Sequence, residues 1–184
     1  RRTPMQSLDQ LYDQAACLDA FLKRKVFSLA LSSKGWFLAD DSGGHHSFEM
    51  FSSAGNQDAP VESRAGIVRW AALKSPQRAL EKLLRAYDCD ASRLLDCCRQ
   101  SIFFDKVDDV LACLDAVCAD PEIRVVRVKN RMDWEQDAGQ NAGFRNVVLN
   151  LCIRSEETKR LGISEHVCEL QLTLKRFAEH MTAE

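Results

Sequence analysis

The stretch His166-Val167-Cys168-Glu169-Leu170-Gln171-Leu172 decides the reading of this chain. As an extended strand it puts Glu169 and Gln171 on one face and Leu170 and Leu172 on the other. The leucines then point to a core, and the acid and amide point away from it. A carboxylate fixed on a sheet can join a second one, brought from another element, to hold Mg²⁺ for phosphoryl transfer. The candidate second acid is Asp96, about seventy residues earlier. Taken alone, the strand more readily describes an exposed polar face at a sheet edge.

Working outward, Asp96 opens Asp96-Cys97-Cys98-Arg99-Gln100-Ser101-Ile102-Phe103-Phe104, which reads as a helix end running into a strand. Upstream lies Lys74-Ser75-Pro76-Gln77-Arg78-Ala79-Leu80-Glu81-Lys82. Lys74, Arg78 and Lys82 are spaced by four, so they stack along one side of a helix and its entry. Leu80, Leu83, Leu84 and Tyr87 form the apolar stripe of the same helix. Three cations near a helix N-terminus make a cradle for a triphosphate, although their spacing alone favours a solvated basic face. Downstream come Val128-Lys129-Asn130-Arg131-Met132-Asp133 and Gly143-Phe144-Arg145-Asn146.

In this order, the blocks resemble the synthetase domain of the RelA/SpoT family of bacterial alarmone synthetases, over roughly residues 64–177. They are most similar to its divergent relatives, found as modules of larger proteins. The resemblance implies a nucleotidyltransferase-related domain with a mixed β-sheet flanked by helices. It implies that Asp96 and Glu169 hold Mg²⁺ and that Glu169 helps to activate the acceptor's ribose 3′-hydroxyl. Lys74, Arg78 and Lys82 would hold the phosphates of ATP, with Arg64 and Arg99 adding to them. On the acceptor side the resemblance places Lys129, Arg131, Phe144 and Gln171. Phe144 stands for a Tyr whose ring stacks on guanine, and Phe can stack equally well.

The sequence departs from the family pattern at three points. Phe144 replaces the Tyr, Asn150 lies near the place of a His, and Leu172-Thr173 follow Glu169-x-Gln171 where the family has an Arg. These bear on guanine specificity more than on phosphate chemistry. Plainer roles remain open: Asp96 as a helix-end acid paired with Arg93 or Arg99, and Phe144 as a core residue beside a loop glycine. The His-Asp motif of alarmone hydrolases is absent from the sequence, so hydrolysis is not expected.

The bulk numbers fit this frame. The chain has 184 residues, 46% hydrophobic and 28% charged, with a net charge of −2. That excludes a global pull toward nucleic acid or anionic membrane while permitting a local basic patch. Eighteen consecutive apolar residues occur nowhere, so a membrane-spanning helix is not expected. The eight cysteines form no C-x-x-C pair, and most fall at apolar positions. They read as small buried hydrophobes of a reducing, cytoplasmic compartment. His45-His46 reads as a solvated loop pair. Starting at Arg1, the chain is expected to be an excised domain or a processed product.

Along the chain, residues 5–31 read as one amphipathic helix or a broken pair, from the spacing of Leu8, Leu11, Ala15, Leu18, Leu22 and Val26. Residues 39–62 carry loop chemistry around a short apolar patch, Phe48 to Phe51, which reads as a hairpin or a flexible insertion. Ser75 and Pro76 start a helix, and a short helix is expected at about 91–98. Asp105 is expected to cap a helix over 106–118, with an apolar stripe of Val107, Val110, Leu111, Leu114 and Val117. Strands are expected at 101–104, 123–128, 146–153 and 166–172, a polar hairpin-like connection at 154–165, and a closing helix at 173–181.

The expected fold is therefore α+β, a mixed and largely antiparallel sheet with helices mainly on one face. Residues 1–63 form an N-terminal helical segment and loop insertion, and residues 64–184 a synthetase-like core, in one compact domain overall. The expected function is a divergent pyrophosphokinase or nucleotidyltransferase that uses ATP and Mg²⁺ to modify a nucleotide or RNA 3′-hydroxyl. The alternative is a catalytically lapsed module of a larger protein that binds a nucleotide or a protein partner.

Overall fold

Strand β5 (Asn146–Ile153) is buried along its whole length. Val147, Leu149, Leu151 and Ile153 alternate with Asn146, Val148, Asn150 and Cys152, so one face is purely apolar and the other carries two amides. Central strands of a covered sheet have this character. Residues 7–40, 46–51, 68–133 and 145–181 are described in a computed structural model of the chain.

Six strands form one sheet: β1 (Trp36–Asp40), β2 (His46–Met50), β3 (Arg99–Phe104), β4 (Ile123–Asn130), β5 and β6 (Cys168–Leu174). Their order is β2-β1-β3-β6-β5-β4. All neighbouring pairs are antiparallel except β3 and β6, which run parallel. The sheet is mixed and largely antiparallel, as the sequence implied.

Helices α1 (Leu8–Ser32) and α3 (Val107–Ala119) cover the apolar face. From α1, Leu11, Ala15, Leu18, Leu22, Val26 and Leu29 join Ile102, Phe104, Leu149, Leu151, Leu170 and Leu172 in one core. The remaining helices are α2 (Pro76–Ala86), α4 (Glu156–Arg160) and α5 (Lys175–Met181). Ser75 caps α2, its hydroxyl accepting from Arg78 N–H, with Pro76 as the first helical residue. Among the described residues, no helix is long and apolar enough to cross a membrane. All eight cysteines are free: Cys97, Cys98, Cys113, Cys152 and Cys168 are buried, and Cys17, Cys89 and Cys118 are exposed.

Several local expectations change. The patch at Phe48 is the second strand of a hairpin whose first strand, β1, the sequence reading missed. The segment expected to be helical at 91–98 has only a 3₁₀ turn, Ala91–Arg93, so Asp96 sits on an extended approach to β3. Lys106, not Asp105, occupies the cap position of α3, without a side-chain bond. Residues 154–165 contain α4. Two apolar stripes are turned: α2 buries Ala79 and Leu83 and exposes Leu80 and Leu84, and α3 buries Val110, Cys113 and Val117 and exposes Val107 and Leu111.

Candidate functional site

The face of the sheet away from α1 is polar at its centre, and strand register dictates this. Arg99 on β3 lies opposite Glu169 on β6, Glu169 lies opposite Asn150 on β5, and Asn150 lies opposite Arg127 on β4. One step along, Ser101, Gln171, Val148 and Lys129 make the next row. Directly paired residues share a face. A cation, an acid, an amide and a second cation therefore stand side by side across four strands.

A cavity of about 510 Å³ opens over these rows. Its wall includes Lys82, Arg99, Arg127, Lys129 and Arg131 against two acids, Asp96 and Glu169. Five positive groups against two negative ones select for polyanions. A smaller, mainly apolar cavity of about 170 Å³ adjoins it through Ala71 and Ser101, with Phe37, Trp70 and Phe103 in its wall.

Asp96 is held by two lysines. Lys74 Nζ lies 2.9 Å and Lys82 Nζ 2.8 Å from its Oδ2, whereas Oδ1 is buried and accepts no hydrogen bond. Burial opposes ionisation of Asp96, but the bonds from Lys82 and Lys74 prevail and hold the carboxyl below its usual range. The same contact outweighs desolvation of Lys82 and raises its ammonium. Neither Arg93 nor Arg99, the partners weighed from sequence, makes this pair.

The backbone positions Lys74 with care. Its N–H donates to the Cys97 carbonyl at 2.9 Å, and its own carbonyl accepts from the Tyr12 hydroxyl of α1. Gln100 fixes the preceding segment, accepting from Ala71 N–H at 3.0 Å and donating to the Ala71 carbonyl at 3.1 Å. On β6, Gln171 Nε2 donates to Glu169 Oε1 at 2.7 Å. On β4, burial and the neighbouring Arg127 and Arg131 lower the Lys129 ammonium.

Of the residues singled out in the sequence, the cavity wall gathers Lys82, Asp96, Arg99, Lys129, Arg131, Glu169 and Gln171. Lys74 reaches it through Asp96. Arg78 stays on the exposed side of α2, away from the wall. Arg64 and Phe144 lie outside the described residues. Asn150 is fully buried, its Oδ1 accepting from Arg127 Nε at 2.9 Å. Arg127, Tyr87, Ser101 and Asn146 also line the cavity. Ser101 and Asn146 lie within the chosen blocks and Tyr87 on the chosen helix, whereas Arg127 had no such signal.

Two carboxylates are the protein share of a Mg²⁺ site completed by substrate phosphates and water. Asp96 and Glu169 meet that count, and the unpartnered Oδ1 of Asp96 offers a ligand atom. Among the described residues, no group of three or more His, Cys, Asp or Glu could hold a metal ion, so a site made of protein ligands alone is not present there.

A six-stranded mixed sheet flanked by helices matches the alarmone synthetase fold. A GTP pyrophosphokinase family protein from Streptococcus pneumoniae is similar to the chain at 15% identity and a TM-score of 0.62, over 97% of this chain and 75% of that one. The protein smu.1046c from Streptococcus mutans is similar at 14% identity and a TM-score of 0.55, over 95% and 75%. The Type VI effector Tas1, crystallised with its immunity protein, is similar at 18% identity and a TM-score of 0.50, over 95% of this chain. The chain spans 64% of the Tas1 chain. At these identities the likeness is one of fold. No family model matches the sequence, and no curated protein does.

Proposed function

We propose that this chain is a pyrophosphokinase or nucleotidyltransferase domain that moves a phosphoryl-containing group from ATP to the 3′-hydroxyl of a nucleotide or an RNA end. The observation that carries the proposal is the cavity in which five cations surround Asp96 and Glu169. The fold supports it, since a GTP pyrophosphokinase family protein is among its structural neighbours.

In this reading the donor phosphates lie between Lys74, Lys82 and Arg99, and the acceptor's phosphates against Arg127, Lys129 and Arg131. The apolar cavity beside Trp70 and Phe103 is a place for a nucleobase. Asp96 and Glu169 would hold Mg²⁺, which would supply neutralising charge to the phosphates. Glu169, oriented by Gln171, takes the proton of the 3′-hydroxyl as its oxygen attacks the β-phosphorus of ATP. The bond from that phosphorus to the bridging oxygen breaks, and AMP departs. Attack at the α-phosphorus would instead release pyrophosphate.

The test is to incubate the chain with labelled ATP, Mg²⁺ and a panel of nucleotide and RNA acceptors. Acceptor-dependent AMP or pyrophosphate is expected, reduced by roughly 10²–10⁴ in Glu169→Gln, the usual size of a general-base contribution. Activity retained in Glu169→Gln would overturn this role.

A second reading is a nucleotide-binding module without turnover, part of a larger protein. Capture of Asp96 by two ammonium groups favours it. ATP bound with neither product released, whatever the acceptor, would select it.

A further inference from the structure

Two ammonium groups converge on a single oxygen, Asp96 Oδ2, while Oδ1 stays buried and unpartnered. The Asp96 and Lys74 side chains are each 11% exposed, whereas Lys82 is 36% exposed and opens onto the cavity. A divalent cation approaching this carboxylate meets two positive charges already at hydrogen-bond distance from its oxygen, and their repulsion is large at low dielectric. The backbone of Lys74 is fixed from both sides, so its side chain is the part that can move. Lys82 already leans on a second surface, its Nζ 5.5 Å from the centre of the Tyr87 ring on the cavity wall.

We propose that Lys74 and Lys82 close Asp96 to divalent cations in the unliganded chain, and that a polyphosphate opens it by drawing both ammonium groups onto its own oxygens. This rests on the reading of Asp96 as a metal ligand. The exchange strands no buried charge. Two single positive charges leave the carboxylate, one double charge replaces them, and each lysine regains anionic partners. Metal and polyphosphate binding are then positively coupled, and by reciprocity each strengthens the other. In the closed state the site is shut by its own donor-binding residues.

The test measures Mn²⁺ binding to the whole chain without nucleotide, from the electron paramagnetic resonance signal of unbound Mn²⁺. Tripolyphosphate binding is measured in parallel by calorimetry. Wild type should bind Mn²⁺ weakly. Lys82→Met should bind it at least about tenfold more tightly, since one repelling charge is gone, yet bind tripolyphosphate less tightly. Lys82→Arg should stay closed to Mn²⁺. Adding Asp96→Asn to Lys82→Met should abolish the gain. Lys74→Met is the second probe, and circular dichroism verifies folding of each variant. Folded Lys82→Met and Lys74→Met that bind Mn²⁺ no better than wild type would overturn the proposal. Tight wild-type binding that Asp96→Asn abolishes would leave the metal reading standing and remove the lock alone. Mn²⁺ binding indifferent to Asp96→Asn would remove both.

Discussion

Asn150 and Glu169 face each other across β5 and β6, and the Asn150 carboxamide oxygen takes the Nε–H of Arg127 at 2.9 Å from the other side. A fully buried amide thus aims a cation on an edge strand at the same surface as the acid. Asn150 Nδ2, by contrast, is buried without a partner. Asn150→Leu removes an unpaired donor along with the bond, and the exposed Arg127 can turn to water, so no buried polar group is left unpaired. Stability should change by less than about 1 kcal/mol. Affinity for tripolyphosphate should fall several-fold because Arg127 is no longer held. Urea unfolding and calorimetry on the same preparation separate the two effects.

Asp96→Asn should behave in the opposite way. It leaves the mostly buried Lys74 ammonium without its counter-charge, and breaking a buried pair costs roughly 3–5 kcal/mol. Because the more exposed Lys82 can relax into solvent, the lower end of that range is expected. The pH dependence carries the same signature. The folded carboxyl titrates below its unfolded value, so its contribution is complete above that value and is lost as pH falls through the folded one. Wild type should therefore lose more stability than Asp96→Asn as the pH falls below 3.8, as measured by denaturant midpoints.

His166 is 3% exposed, and burial lowers its titration from 6.5 to about 4. Its Nε2 is buried without a partner. The ring is neutral in the fold and must gain a proton against desolvation. Its contribution is full above pH 6.5 and disappears as pH falls toward 4. Wild type should lose about 2–3 kcal/mol across that window from this group alone. His166→Leu should flatten that part of the stability–pH curve. An unchanged slope in the variant would mean that the ring is solvated.

Gly35 joins α1 to β1 where the backbone is crowded. A Cβ there would lie 2.4 Å from Ile102 Cγ2 and 2.9 Å from both Cα and Cβ of Ala30. Since Ile102 is in the core of β3, it cannot yield without moving the strand. Gly35→Ala should destabilise the fold by roughly 1–3 kcal/mol, the usual cost of overpacking, read as a lowered melting temperature.

Strands with strong alternation were legible in the sequence. The limits of β5 were read as observed, and β6 was displaced by two residues, because Val147 to Ile153 and Cys168 to Leu172 repeat with period two. The hairpin of β1 and β2 was legible only as one of two alternatives, and without β1, because each strand has five residues and polar loop chemistry surrounds them. Leu80 and Leu84 misled for another reason: helical spacing gives the phase of a stripe but not which flank meets the core. Among site residues, Asp96, Glu169, Lys82 and Gln171 were reachable from motif order. Arg127 was not, since alternation from Ile123 and Val125 sends it toward the core. A register shift between Val125 and Arg127 reverses the phase and turns Arg127 and Lys129 to the cavity.

The parallel pairing of β3 with β6 joins Arg99 to Glu169 across seventy residues of chain. Loop closure of that length makes the contact entropically slow to form, and slower than the local pairing of β4 with β5. Among the described residues, two helices and two strands lie in the chain between these paired residues. A nascent or partly folded chain can display each half of the cavity wall but not the two together, and cleavage between the halves should separate Arg99 from Glu169 before it ends secondary structure.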